Sequence, residues 1–253
     1  MNLIPVFEKV LRLGDKIRII QLSDMHISSK DIDKNGINIK TNFIRAIEVV
    51  KKIKHDFIVL SGDLGHDVDD NDYKWLKSKL SGLKYFVIPG NHDMSEIMAE
   101  SFGLNGNIFD GKIFYKKHIM GKDFIFADTS IEWLDLKFLD SFIDRKSKKG
   151  CTFLFMHHPP SLCNAKHMDT YYPLSNHIEV TEFLNKCDQI EHVFCGHYHT
   201  AHHVKQDKFM IHIGPSTWYQ IGRKLKKFNI RHTRPGYTII DIGDEVKVKN
   251  YFL

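Results

Sequence analysis

Hydrophobic positions along this chain gather into short apolar runs separated by stretches of helical period, and run after run stops at a polar residue. Lys16 to Ser23 (KIRIIQLS) alternates as a strand does and ends in Asp24-Met25-His26. Beyond a polar loop, Asp31 to Gly36, the stretch Thr41 to Lys54 sets Phe43, Ile44, Ile47, Val50 and Ile53 at helical spacing, with Thr41 as the expected N-cap. Phe57 to Leu60 is a short continuously apolar strand that ends in Ser61-Gly62-Asp63. Asp72 to Leu80 predicts a second helix. Lys84 to Ile88 predicts a third strand, which breaks at Pro89-Gly90 and delivers Asn91-His92-Asp93.

The same grammar continues. Ser95 to Phe102 predicts a helix, and Lys112 to His118 with Phe124 to Asp128 predict an antiparallel pair of more amphipathic strands. Asp135 to Lys146 predicts an amphipathic helix whose basic end, Arg145 to Lys149, suits the helix dipole. Thr152 to Met156 is a buried strand that runs into His157-His158-Pro159-Pro160, and a long loop follows from Pro159 to Asn176. Ile178 to Cys187 predicts a helix, and the strand Ile190 to Cys195 opens into Gly196-His197-Tyr198-His199. Strands at Lys208 to Ile213, Tyr237 to Ile242 and Val246 to Phe252 close the chain.

The alternation of strand and helix in the first half predicts an α/β fold with a mainly parallel central sheet and helices outside it. No break forces a second domain, so residues 1–253 are expected to form one. In open α/β sheets functional groups collect beyond the carboxyl ends of the strands. Five strands here end in Asp, His or Asn, and all five are expected in one sheet.

Composition narrows the function. With 42% hydrophobic and 26% charged residues the chain is globular rather than disordered. A formal charge of +5 suits an anionic substrate and falls short of a dense nucleic-acid surface. Met1 to Leu13 lacks the apolar core of a secretory signal, and no apolar run approaches the roughly 18 to 20 residues that cross a bilayer, so a soluble cytoplasmic protein is expected. Cys151, Cys163, Cys187 and Cys195 have no Cys-x-x-Cys spacing and are expected to be reduced. The 16 histidines are the compositional oddity.

Each strand-end cluster taken alone also fits a polar turn. Together, Asp24, His26, Asp63, Asn91, His157, His197 and His199 make seven oxygen and nitrogen donors with no thiolate, too many for one transition ion and about right for two that share a carboxylate. Asp63, from a middle strand, is the natural bridge, and the donor types favour Mn, Fe or Zn. Two dications outweigh the two aspartates, so the site needs an anion such as a phosphoryl group. Paired ions about 3.5 to 4 Å apart make a nucleophile of water and spread the charge of an in-line phosphoryl transition state. His92, next to Asn91, is the expected general acid for the leaving alkoxide.

Asp-x-His, Gly-Asp, Gly-Asn-His-Asp, His-x-Pro and Gly-His-x-His, in this order from Ile17 onward, resemble the calcineurin-like metallophosphoesterases. The resemblance implies a four-layer α/β/β/α sandwich of two mixed sheets flanked by helices. It implies one ion on Asp24, His26, Asp63 and His199 and a second on Asp63, Asn91, His157 and His197, with His92 as proton donor; the first His of His-x-Pro being the ligand, His157 is preferred to His158. Pro215-Ser216-Thr217, Gln220 and Pro235-Gly236-Tyr237 resemble the class III cyclic-nucleotide phosphodiesterase branch, which implies hydrolysis of cyclic nucleotides or related small diesters. One departure stands out. Where many relatives continue Gly-Asp-Leu-x-Asp, this chain reads Gly62-Asp63-Leu64-Gly65-His66-Asp67, which is expected to alter how His92 is oriented, with Asp67 or Asp93 as substitutes.

Substrate contacts are expected from Asn91 and from His158, Asn164, His167 and Tyr171 on the Pro159 to Asn176 loop; the alternative is a lid that only shields the ions. Two rival readings remain. One is a nuclease of the same fold, with the basic run Arg223, Lys224, Lys226, Lys227, Arg231 and Arg234 following a phosphate backbone. The other is a non-catalytic scaffold, which is expected to have lost ligands or the proton donor.

Overall fold

In the computed structural model, which describes residues 16–66 and 70–253, the main strands divide between two sheets. Met1 to Leu13 and Asp67 lie outside the described residues. The first sheet sets Ile17–Leu22, Phe57–Ser61 and Tyr85–Ile88 side by side and parallel, and Gly236–Ile242 and Val246–Phe252 extend it antiparallel beyond Ile17–Leu22. The second has Thr152–Met156 and Ile190–Cys195 parallel at its middle. The hairpin of Lys112–Ile119 and Lys122–Ala127 lies to one side, Met210–Ile213 and His202–Lys205 to the other.

The single central sheet expected from the β/α alternation is therefore two, and the hairpin is where the chain changes sheets. Its strands pair with each other and with Thr152–Met156, and their inward rings meet the first sheet face to face. Phe57 packs on Phe124 and Phe86 on Phe126, at 5.4 and 5.1 Å between ring centroids. Both faces of the middle strands are covered, which is why Phe57–Ser61 and Thr152–Met156 are apolar without alternation and buried throughout.

Helices cover the outer faces. Phe43, Ala46, Ile47 and Val50 of Ile39–Val50 pack under the first sheet, and Leu139, Val180 and Leu184 pack under the second, completing the four-layer sandwich. The first helix starts before Thr41 because Asn38 caps it, its side chain accepting from the Thr41 amide at 2.8 Å. The helix expected over Asp135 to Lys146 stops at Phe142. Ile143 is extended there, and Asp144 draws the Lys146 amide to its side chain at 2.9 Å, a local alternative to helix. Arg145 to Lys149 thus form turns rather than a helix end. The Pro159 to Asn176 loop contains a short helix, Lys166–Tyr171. Among the described residues no helix is long and apolar enough to cross a membrane.

Candidate metal centre

The parallel strands of both sheets point their carboxyl ends at one place. Asp24 and His26 follow Ile17–Leu22, Asp63 follows Phe57–Ser61, and Asn91 and His92 follow Tyr85–Ile88; His157 follows Thr152–Met156, and His197 and His199 follow Ile190–Cys195. Five of these residues, Asp24, His26, Asp63, His197 and His199, have positive φ between 46° and 64°. That region is costly for a residue with a Cβ, and it holds only where the surroundings over-determine it.

Backbone bonds supply the constraint. Asp24 N donates to Gly62 O at 3.0 Å and His26 N to Asp63 O at 2.9 Å, locking the first two loops together. The His197 amide donates to the Asp24 carboxylate, at 3.0 Å to Oδ1, and ties the second sheet to the first. Glycine is needed where the loops meet, since a Cβ on Gly90 would lie 2.4 Å from the Asp63 amide nitrogen and one on Gly196 1.8 Å from Ser23 Oγ.

The side chains converge on two overlapping groups. Asp24, His26, Asp63 and His199 form one and Asp63, His157 and His197 the other, each within 4.8 Å and all buried, with Asp63 common to both. Nε2 of His26 lies 3.1 Å from Nε2 of His199 and 3.4 Å from Asp63 Oδ2, and His157 Nε2 lies 3.3 Å from the same oxygen.

The opposite ring nitrogens fix the tautomers. His157 Nδ1–H donates to Ser61 O at 2.8 Å, His199 Nδ1–H to Tyr219 O at 3.2 Å, and His197 Nε2–H to Tyr172 O at 3.0 Å. Each ring therefore turns a lone pair inward, as outer-shell carbonyls do for ligating histidines. His157 Nε2 and Asn91 Oδ1 are buried with no hydrogen-bond partner, an arrangement that costs stability unless a cation accepts their lone pairs.

Charge points the same way. Burial works to raise both carboxyls, yet the imidazoles hold Asp24 below and Asp63 well below the ordinary range. Burial lowers His157, but Asp63 and Asp24 outweigh it and bring the ring up to about 9, so a proton on Nε2 holds the place that a cation would take on its lone pair. Burial takes His26 well down and His197 to about 4. Two buried carboxylates in one pocket thus demand positive charge from whatever stands between them, and the donor set fits a pair of transition-metal ions.

His92 stands at the rim. Its amide donates to Asp63 Oδ1 at 2.9 Å, its Nδ1 lies 3.4 Å from the carbonyl of His66, and its ring stacks on the His66 ring. Asp93 does not orient it. The Asp93 carboxylate accepts from the amides of Leu64, Gly65 and Gly90 and from Tyr73 Oη, tying the Asp63 loop to the Asn91 loop, and burial beside Asp63 pushes it up to about 6.

Above the cluster lies a cavity of about 220 Å³ walled by His167, Tyr172, Tyr219 and Phe228, with Asn91 and His92 on its lining. His167 is held by the Lys226 carbonyl at 2.8 Å. His158 does not line this cavity. It is fully buried, bonded to Thr129 Oγ1 at 2.9 Å, and its ring lies 4.1 Å from that of His197. Asn164 and Tyr171 are likewise absent from the lining.

Sequence reasoning missed the aromatic wall, because Tyr219 and Phe228 lie in a stretch with no period. The one signal near it was Pro215-Ser216-Thr217, whose part is structural: Ser216 Oγ donates to the Asp24 carbonyl at 2.9 Å, while Gln220 Nε2 and Gly236 N both donate to the Ser216 carbonyl. Of the basic run, Arg234 is spent on the carbonyls of Phe252 and Leu253, and Arg223 on His202.

Comparison with known proteins agrees with this geometry. Residues 17–201 match the sequence profile described as calcineurin-like phosphoesterase. A probable cyclic nucleotide phosphodiesterase of Fibrobacter succinogenes is 32% identical over 250 residues, 97% of this chain and 95% of that protein. A probable glycerophosphodiester phosphodiesterase of Arcobacter nitrofigilis is 27% identical over 228 residues, 83% and 81% of the two chains. In fold, a dimetal phosphatase from Danio rerio superposes with a TM-score of 0.69 at 13% identity, covering 92% of this chain and 95% of that one. With the profile spanning the strand ends from Asp24 to His199, the chain belongs to the calcineurin-like phosphoesterase family.

Proposed function

We propose that the chain is a dinuclear-metal phosphodiesterase acting on cyclic nucleotides or related small diesters. The observation that carries this reading is the sharing of Asp63 by two buried donor groups, with His157 Nε2 and Asn91 Oδ1 left unpartnered beside it. Asp24, His26, Asp63 and His199 would hold one ion, and Asp63, Asn91, His157 and His197 the other. Bound there, Mn, Fe or Zn supplies Lewis acidity toward the phosphoryl group and makes water a nucleophile at neutral pH.

The chain's own residues do the rest. His92 would act as the imidazolium, its Nδ1–H staying on the His66 carbonyl while Nε2–H passes its proton to the leaving oxygen as the P–O bond breaks and the ring is left neutral. His167, Tyr172, Tyr219 and Phe228 wall the cavity, exclude water and contact the organic part of the substrate. His158 acts through the His197 ring it packs against. The names of the two relatives above support small diesters as the substrate class, and the occupied Arg223 and Arg234 speak against a basic track for DNA.

The test is a substrate panel on chelator-stripped chain reloaded with Mn, Fe or Zn. Two ions per chain and turnover of cyclic mononucleotides or glycerophosphodiesters are expected. Activity confined to single-stranded DNA, falling steeply with salt, would replace this reading by the nuclease. No hydrolysis of any ester with two ions bound would leave the scaffold.

A further inference from the structure

His66 occupies the position where the chain departs from the Gly-Asp-Leu-x-Asp pattern, and its surroundings are built. Its amide donates to Ile27 O at 3.0 Å, which places the residue beside the His26 loop. Its ring meets three others. Nδ1 lies 3.2 Å from His26 Nδ1, the ring face stacks on His92 at 5.0 Å between centroids and 13° between planes, and Trp218 stands edge-on at 5.6 Å. Trp218 is itself pinned, its indole N–H donating to Asp33 Oδ2 at 2.9 Å. His66 thus sits between a fixed indole and the His92 ring while touching His26.

Proton positions follow from the geometry. Nε2 of His26 faces His199 and Asp63, so an ion held there takes its lone pair and leaves the ring proton on Nδ1. That N–H donates to His66 Nδ1, and His66 carries its own proton on Nε2. On its other side, the His66 carbonyl takes the Nδ1–H of His92.

We infer that His66 is a positioning residue, which holds His26 in the tautomer that ligates through Nε2 and holds the His92 ring at the tilt from which it delivers its proton. This rests on the phosphodiesterase reading above. The same three rings, His26, His66 and His92, could hold an ion of their own by spacing alone. Such an ion would displace the His26 Nδ1 proton and make that ring an imidazolate serving two sites. The hydrogen bond needs no such deprotonation.

Two substitutions separate the two jobs. His66→Phe keeps an aromatic face for His92 and removes the acceptor for His26; His66→Asn keeps an acceptor and removes the face. In calorimetric titration of Zn into stripped chain, His66→Phe is expected to bind about tenfold more weakly and His66→Asn as the wild type does. In turnover, His66→Asn is expected to lose about tenfold in kcat on alkyl diesters at unchanged KM and far less on nitrophenyl diesters, whereas His66→Phe keeps the wild-type ratio between the two esters. Ring ¹⁵N spectra of the wild-type Zn form are expected to show His66 protonated on Nε2.

Wild-type metal affinity and wild-type ester ratio in both variants overturn the inference, as does uptake of three ions per chain. So does a ring spectrum with the His66 proton on Nδ1, an outcome that holds even where a variant fails to fold. If the wild type hydrolyses no diester, the hydrolase reading fails alone, because the titration and the ring spectrum still decide whether His66 holds His26.

Discussion

At the edge of the second sheet, His192, His212 and His203 form a line of imidazoles. His192 Nδ1 faces His212 Nε2 at 2.9 Å, and His203 Nδ1 faces His212 Nδ1 at 3.0 Å, with the His212 ring stacked on Phe194. Burial first, then the two neighbouring rings, push His212 down to about 2. His192 and His203 are also lowered by burial, Glu191 and Lys205 act on His192 with opposite signs, and Asn250 of the other sheet meets His203 at 3.3 Å. A folded value below the unfolded one, near 6.5, means that the unfolded chain takes up the proton first as pH falls. Stability is therefore fully present above about pH 6.5 and is lost below it. Between pH 7.5 and 5.5 the loss from one such residue is about 1.4 kcal/mol, and it hardly depends on how far below 5.5 the folded value lies. Urea denaturation of wild type and His212→Gln at both pH values measures it, because titration at the metal centre cancels in the comparison. The variant is expected to lose about 1.4 kcal/mol less than the wild type over this interval. Equal losses in the two proteins would refute the reasoning.

Four other outcomes can be checked. Gly90→Ala, whose Cβ would lie 2.4 Å from the Asp63 amide, is expected to cost about 1–3 kcal/mol in denaturant and to weaken metal retention after dialysis; a variant as stable as wild type contradicts the close approach. Asn38→Ala removes the cap on the first helix and is expected to cost about 1 kcal/mol with unchanged turnover. Because candidate ligands come from both sheets, chelation is expected to lower the melting temperature and Zn or Mn at about 100 times Kd to restore about 2.7 kcal/mol; an unshifted melt counts against ions that join the sheets. His92→Ala is expected to keep its ions and lose about 100-fold or more in kcat on alkyl diesters, with a smaller loss on nitrophenyl diesters; equal losses on both argue against the proton-donor role.

The candidate ligands were legible because each follows directly on an apolar run, so a one-dimensional pattern carries their position. What joins them was less so. Periodicity identifies strands but not their partners, and nothing in Lys112 to Ala127 says that this hairpin begins a second sheet. Asn38 took the cap from Thr41, and Asp144 ended a helix that its apolar spacing would have extended, both through side-chain bonds that compete locally with the backbone. His66 was marked as a departure, but its contacts with His26 and Trp218 depend on loops distant in sequence. The cavity wall of Tyr219 and Phe228 has no strand or helix period to announce it.

The left-handed backbone at Asp24, His26, Asp63, His197 and His199 has a consequence for how such a chain drifts over generations. Glycine or asparagine at any of these five places would relax the turn, and at His26, His197 or His199 it would do so without loss of the carboxylates that accept the His197 and His92 amides. Mutation can therefore raise the stability of the empty protein by discarding what makes it an enzyme, and only selection for turnover opposes the slide toward a sturdier, inert descendant.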